Sequence, residues 1–323
     1  MSIPPSPAGD KTEACDLLVV APLTYEISKR FASLPARPGD PLESIDPIER
    51  IEDGGGSALN SACALAAAGR RVVAVCCGGA DEDGTRALRA LEKRGVDCRA
   101  TILPGRRTKR NLLAVVEGTK RSFFRVEAPG DLPAPMPLPA DLPDARVLLV
   151  DRDHPGLAGR LRARKDRPDR RNVMTRYTRA GLPDLGPFDL LQLPERAEGP
   201  EVPLPPPPAG FHSPASPPPM RSEEIDRLLS GGIQVLVRTF GSGGAIVHER
   251  NGRFTSIPAR RTEVVDATGA GDAFLAGFLD ALLDHAPVSA AGHRGADWAA
   301  RAVRHLGARG WLDREPPGRI AEP

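Results

Sequence analysis

Val265-Asp266-Ala267-Thr268-Gly269-Ala270-Gly271-Asp272-Ala273-Phe274-Leu275-Ala276-Gly277-Phe278 reads as a tight turn that feeds a helix. Val264 and Val265 are β-branched and suit the end of a strand. Gly269 and Gly271 can reach backbone angles that other residues avoid. Beyond them Ala273, Phe274, Gly277, Phe278, Ala281 and Leu282 recur at three- and four-residue spacings and make one apolar stripe. Asp272 falls in the first helical turn, where backbone N–H groups lack helical acceptors and the dipole favours negative charge. Such a helix start takes a phosphate, or stabilises the charge that builds while a phosphoryl group is transferred. A carboxylate there would repel an anion that was merely bound. It has a purpose if it accepts the proton of a hydroxyl attacking phosphorus. The plainer alternative is a strand-to-helix turn in which Asp272 is a favourable first-turn charge.

Two other phosphate loops are excluded. The chain has no Gly-x-x-x-x-Gly-Lys-[Ser/Thr] string, and Phe274 stands where a dinucleotide fingerprint needs its third glycine. The whole string resembles the signature of the PfkB (ribokinase-like) sugar kinase family, Asp-x-Thr-Gly-Ala-Gly-Asp-x-Phe-x-x-Gly, at every fixed position. The resemblance implies an α/β protein, a ribokinase-like three-layer α/β/α sandwich with a mostly parallel central sheet and a small β-lid. It implies transfer of the ATP γ-phosphoryl group to a sugar hydroxyl. Asp272 is then the general base. The backbone of Gly269, Ala270 and Gly271 stabilises charge, and Thr268 joins the nucleotide site. Relatives carry a monovalent cation, K+, beside the residue that is Asp266 here.

Other strings extend the same resemblance. Asp53-Gly54-Gly55-Gly56-Ser57-Ala58-Leu59-Asn60 precedes an alanine-rich helical stretch running to Gly69. Close helix packing explains the alanines, but not three glycines followed by an asparagine. Gly55, Gly56 and Asn60 match the family's Gly-Gly-x-x-x-Asn, and an amide can both donate to and accept from sugar hydroxyls. Glu26, after the apolar run Leu17–Ala21, stands where the family has a sugar-holding aspartate; an exposed surface glutamate is the alternative. Thr239, Gly241 and Gly244 match Thr-x-Gly-x-x-Gly, which implies contact with the nucleotide phosphates. Gly79-Ala80-Asp81-Glu82-Asp83-Gly84 resembles the family's Gly-x-Asp-x-x-Gly turn.

The middle departs from the family. Many members carry Asn-x-x-Glu there, orienting magnesium and phosphate. This chain has Leu193-Pro194-Glu195-Arg196-Ala197-Glu198 and no such asparagine. Glu195 and Glu198 remain as candidates to orient Mg2+-bound water. The Asp151–Pro155 string and the Glu-Arg-Ala string are similar to the ketohexokinase-like branch. Residues 199–219 are crowded with proline, which removes N–H donors and forbids helix.

The domain reading follows. Residues 1–16 and 316–323 are loose tails, and 17–315 form one kinase domain. Lid strands come from about 24–53 and 99–127, and 199–219 is a proline-rich loop. A closing helix is expected over 295–306. Composition bounds the partners. A net charge of +2 with no basic block argues against nucleic acid. No run of 18 apolar residues argues against a membrane span. Met1–Asp16 lacks an apolar signal core, and five cysteines without metal spacing suit reduced thiols, so a cytoplasmic protein is expected. The partner expected is a small sugar; a homodimer through the lid is one arrangement in the family. Two alternatives stay open: a non-catalytic sugar or nucleotide sensor, and a nucleoside kinase. Scarce aromatics, 4% of the chain, weigh against a stacked base.

Overall fold

The computed structural model describes residues 14–33, 45–117, 121–133, 136–151, 157, 161–162, 170–175, 188–194 and 220–318, with the backbone alone at 121–124. The chain opens with β1 (Cys15–Pro22), β2 (Thr24–Phe31), β3 (Glu49–Gly55) and α1 (Ser57–Ala67). Next come β4 (Val72–Gly79), α2 (Glu82–Lys93), β5 (Asp97–Leu103), β6 (Lys109–Val116) and β7 (Arg121–Ala128). Then follow β8 (Ala145–Val150), β9 (Arg171–Thr175), β10 (Leu190–Pro194), α3 (Ser222–Ser230) and β11 (Val235–Thr239). The last described elements are β12 (Ala245–Glu249), β13 (Phe254–Ile257), α4 (Ala270–Leu283) and α5 (Val288–Ala302).

The side chains of β1 alternate between two cores, Leu17, Val19 and Ala21 in one and Leu18 and Val20 in the other. A strand buried on both faces must be apolar throughout, which is why its sequence shows no polar alternation. Around it nine strands form a sheet in the order β13-β12-β11-β10-β9-β8-β1-β4-β5. Neighbours from β5 to β11 run parallel, and β12 and β13 close one edge antiparallel. Helices α1, α2, α4 and α5 supply the first core and α3 the second. The result is a three-layer α/β/α sandwich.

A second, four-stranded sheet has the order β3-β2-β6-β7. Tyr25, Ile27, Phe31, Leu112, Ala114 and Val116 give it a core of its own. Thr24, Glu26 and Ser28 point to its other face, since side chains alternate along a strand.

Three expectations need correction. The alternating stretch 99–127 is divided between the sheets. β5 pairs in parallel with β4, Cys98 opposite Ala74, and turns Cys98 and Ala100 onto the main core. The small sheet resumes at Lys109. An edge strand with one covered face alternates as a lid strand does, so the period alone cannot separate them. Val264 and Val265 are not strand. The N–H groups of Val265 and Asp266 both donate to the Val303 carbonyl, just past α5, and Val264 is 44% exposed. The closing helix begins at Val288 and ends at Ala302, earlier than 295–306. Its inward stripe includes Gly292 against Ile257 and Gly295 against Phe274, so close packing replaced the bulky pattern that marks a helix.

Residues 1–13, 195–219 and 319–323 lie outside the described residues, so the tails and the proline-rich loop carry no structural account. None of the five cysteines is in a disulfide. Burial pushes the Cys63 thiol above its ordinary range, and neighbouring Cys76 together with burial does the same for Cys98. Among the described residues no helix is long and apolar enough to cross a membrane.

Candidate active site

Helix α4 starts at a left-handed residue, Gly269, with φ of 76°. A side chain there would also be strained by space: its Cβ would come within 2.6 Å of the Ala308 Cβ. The first helical bond is Ala273 N–H to Gly269 O, and Ala270 N–H turns back to Ala267 O. Gly271 and Asp272 therefore present N–H groups with no acceptor inside the helix. The expectation included Ala270 among the charge-stabilising donors. Its N–H is committed to the turn, so the helix start offers Gly271 and Asp272 instead.

Asp266 staples this turn. Its Oδ1 accepts from Thr268 N–H at 2.9 Å and from the Thr268 hydroxyl at 2.6 Å, and its Oδ2 accepts from Gly307 N–H at 2.8 Å. Gln192 of β10 holds the other side. Its Nε2 donates to Gly271 O at 2.7 Å, while its Oε1 accepts from the Thr175 hydroxyl at 3.0 Å.

Asp272 is 8% exposed and is held by one face of α1. Ser57 Oγ donates to its Oδ1, and Asn60 Nδ2 donates to its Oδ2 at 2.7 Å. Ser61 Oγ donates to the Asp272 carbonyl at 2.9 Å. Spacings of three and four residues put Ser57, Asn60 and Ser61 on one helix face. Each carboxylate oxygen has two lone-pair directions, so these bonds orient the group and leave it able to accept a further proton.

Behind Asn60 stands Arg309, 2% exposed. Its Nε donates to Asn60 Oδ1 at 2.8 Å, Nη1 to Asp53 Oδ1 at 3.2 Å and Nη2 to the Gly55 carbonyl at 3.4 Å. Asp53 is also paired with Arg94 at 2.7 Å. Burial opposes the Arg309 charge, but its surroundings, with the carboxylates of Asp53 and Glu26 among them, outweigh burial and raise its pKa. Glu26 lies over Gly55: a Cβ on Gly55 would sit 2.9 Å from Glu26 Oε2. In the small sheet Asp53, Glu26 and Asn111 are direct neighbours across three strands.

Thr239 is the last residue of β11, and Gly241 and Gly244 follow it. The Thr239 hydroxyl donates to Leu193 O at 3.4 Å. Gly244, with φ of 85°, has no room for a side chain, which would collide with the Ile257 carbonyl. Gly241, with φ of 56°, faces open space.

The structure thus gathers Gly55, Asn60 and Asp272 into one hydrogen-bonded chain, with Glu26 beside Gly55. Thr239 at the end of β11, with Gly241 and Gly244 in the turn after it, stands apart from that chain. Glu195 and Glu198 lie outside the described residues. Sequence reasoning missed Ser57, Asp53, Gln192 and Arg309. Ser57 had a signal, its place three residues before Asn60. Arg309 had none, because its partners are more than 200 residues away along the chain.

A sequence profile described as pfkB family carbohydrate kinase matches residues 47–131 and 221–314, more than half of the chain. An uncharacterized sugar kinase of Archaeoglobus fulgidus is 37% identical over 89 residues. That match covers 28% of this chain and 35% of the relative's length. Among solved structures, the adenosine kinase of Sinorhizobium meliloti superposes with a TM-score of 0.66 at 20% identity, covering 93% of this chain and 98% of that one. The ribokinase of Arabidopsis thaliana complexed with ribose and ATP gives 0.64 at 18% identity, with the same coverages. At such identities the likeness is one of fold.

Proposed function

The chain belongs to the pfkB family of carbohydrate kinases, and from that premise we propose that it transfers the γ-phosphoryl group of ATP to a hydroxyl of a small carbohydrate. The observation that carries the reading is Asp272: a buried carboxylate in the first turn of α4, oriented by Ser57 and Asn60 beside N–H groups with no helical acceptor. The acceptor hydroxyl sits against Asp272, which takes its proton as the oxygen attacks phosphorus. The N–H groups of Gly271 and Asp272 offset the charge on the phosphoryl oxygens. Glu26, Gly55, Gly56 and Asn60 hold the sugar. The loop of Thr239, Gly241 and Gly244 holds the nucleotide, with Gly241 as the point of closest backbone approach. Thr268 supports that side as a braced neighbour, its hydroxyl already given to Asp266.

Magnesium, when bound with ATP, neutralises phosphate charge and orients the transferring group. Among the described residues no group of three His, Cys, Asp or Glu side chains could hold a metal. Glu195 and Glu198 remain the proposed holders of its water. Asp266 has both carboxylate oxygens engaged by protein donors. A K+ ion there would share the remaining lone pair of Asp266 Oδ2 with backbone oxygens. A homodimer through the small sheet and a cytoplasmic setting belong to the same proposal.

The test is a coupled ATPase assay with Mg-ATP against pentoses, hexoses and nucleosides. Nucleosides are included because the adenosine kinase matches the fold as well as the ribokinase does. Turnover with a sugar supports the reading. Turnover only with a nucleoside moves the acceptor class, and no acceptor-dependent turnover rejects catalysis in favour of a sensor.

A further inference from the structure

We propose that Arg309 is a positioning residue of the phosphoryl-transfer site, acting on Asp272 through Asn60. The inference rests on the reading of Asp272 as the base and adds a residue to it. A side-chain amide can turn over by half a rotation, exchanging its oxygen and nitrogen. Here the two neighbours admit one orientation. Arg309 Nε–H needs an acceptor and Asp272 Oδ2 needs a donor, at 2.8 and 2.7 Å on opposite ends of the same amide. Turning the amide would set its NH2 against a guanidinium and its carbonyl against a carboxylate. Both contacts would become repulsive in a buried setting, where unpaired polar groups cost most.

The remaining bonds of Arg309 explain how it stays in place. Its fork bonds Asp53 and the Gly55 carbonyl at the end of β3, and its stem leaves the chain at Arg309, two residues after Gly307. Gly307 N–H is bonded to Asp266 and Ala308 abuts Gly269. One guanidinium therefore ties together the glycine turn before α1, the acceptor amide and the segment that braces the base's own turn. Lysine cannot do this. It keeps the charge and can reach Asp53, but it lacks a planar fork with a separate Nε–H.

The experiment is a two-by-two set: parent, Arg309→Lys, Asn60→Ala and the double variant. Two readouts are taken on each. The first is kcat with Mg-ATP and the best acceptor among D-ribose, D-fructose and adenosine. The second, which needs no turnover, is hydrogen exchange of the Asn60 side-chain NH2, followed by NMR with 15N-asparagine labelling and assigned by its loss in Asn60→Ala. Arg309→Lys is expected to lower kcat at least tenfold with the ATP KM unchanged. In the Asn60→Ala background the same substitution is expected to change kcat less than twofold. The Asn60 NH2 protons are expected to exchange at least tenfold faster in Arg309→Lys than in the parent. Equal loss of kcat in both backgrounds, or unchanged exchange, overturns the proposal. If no acceptor is turned over, the kinase reading fails on its own and the exchange measurement still decides Arg309. Should Arg309→Lys not fold, Arg309→Gln, uncharged and able to donate one bond, takes its place with the same expectations.

Discussion

The two glycine turns beside the site are built in opposite ways. The turn at Gly269–Asp272 is braced at three points: Ala308 against Gly269, Gln192 on the Gly271 carbonyl, and Asp266 stapling the approach. The turn at Gly241–Gly244 is pinned at one end, where Gly244 abuts Ile257, and open at the other. The first turn carries a buried carboxylate with two side-chain donors; the second brings no carboxylate of its own. The difference suits the proposed division of labour. A proton acceptor must be held within a fraction of an ångström of its target, whereas a phosphate chain can be gripped by exposed backbone.

That contrast can be broken by substitution. The largest effect is expected at Asp272. Asp272→Asn keeps the size and one accepting oxygen for Asn60, turns the other into a donor toward the Ser57 hydroxyl, and cannot accept the proton, so turnover falls by roughly 10²–10⁴-fold. Steady-state rates with the acceptor found in the screen check it. Next are the glycines themselves. Gly269→Ala combines a left-handed backbone with a close contact and is expected to cost about 2–4 kcal/mol. Gly241→Ala has space around it and costs about 1 kcal/mol. Urea unfolding of both variants sharpens or erases the contrast, and equal losses would erase it.

Smaller effects probe what surrounds the braced turn. Asn60→Ala removes a bond to a charged group and an acceptor contact. It is expected to cost about 1.5–3 kcal/mol in kcat/KM for the acceptor, with ATP affinity kept. Calorimetry with ATP and acceptor separately reads the split. Asp81 is farther out. It caps α2 through Gly84 N–H at 2.8 Å and receives Thr108 N–H at 2.7 Å, fastening the segment between β5 and β6. Burial would raise its pKa, but those N–H donors outweigh burial and hold it below the ordinary aspartate range. A depressed folded value means that the stabilisation is complete above the unfolded pKa and is lost as pH falls through the folded one. Asp81→Ala is expected to cost about 1 kcal/mol at neutral pH, and the gap to the parent should close in acid. A gap that stays constant with pH would remove Asp81 as the source.

Much of this arrangement was legible from residue order. The signature around Asp272 and the Gly55-Gly56-Asn60 string are local, and glycines are few enough choices at a strained turn to be read directly. The apolar run Leu17–Ala21 announced a central strand because a strand covered on both faces is apolar throughout. What stayed hidden was non-local. Arg309 is one of 44 basic residues, and only the fold makes it a buried member of the site. β5 was assigned to the wrong sheet because alternation records one covered face and not which body covers it. The start of α5 was missed because glycines, set against Phe274 and Ile257, did the packing that larger residues usually advertise.

The central claim is that chemistry and nucleotide grip reside in different turns. The most direct measurement is a crossed one. ATP affinity is measured by calorimetry, and the single-turnover rate at saturating ATP by rapid quench, for both Asp272→Asn and Gly241→Val. The account predicts that Asp272→Asn loses the rate by roughly 10²-fold or more and keeps parental ATP affinity. Gly241→Val should instead lose affinity and keep the rate once ATP saturates. Loss of ATP affinity in Asp272→Asn with the rate preserved at saturation would contradict it.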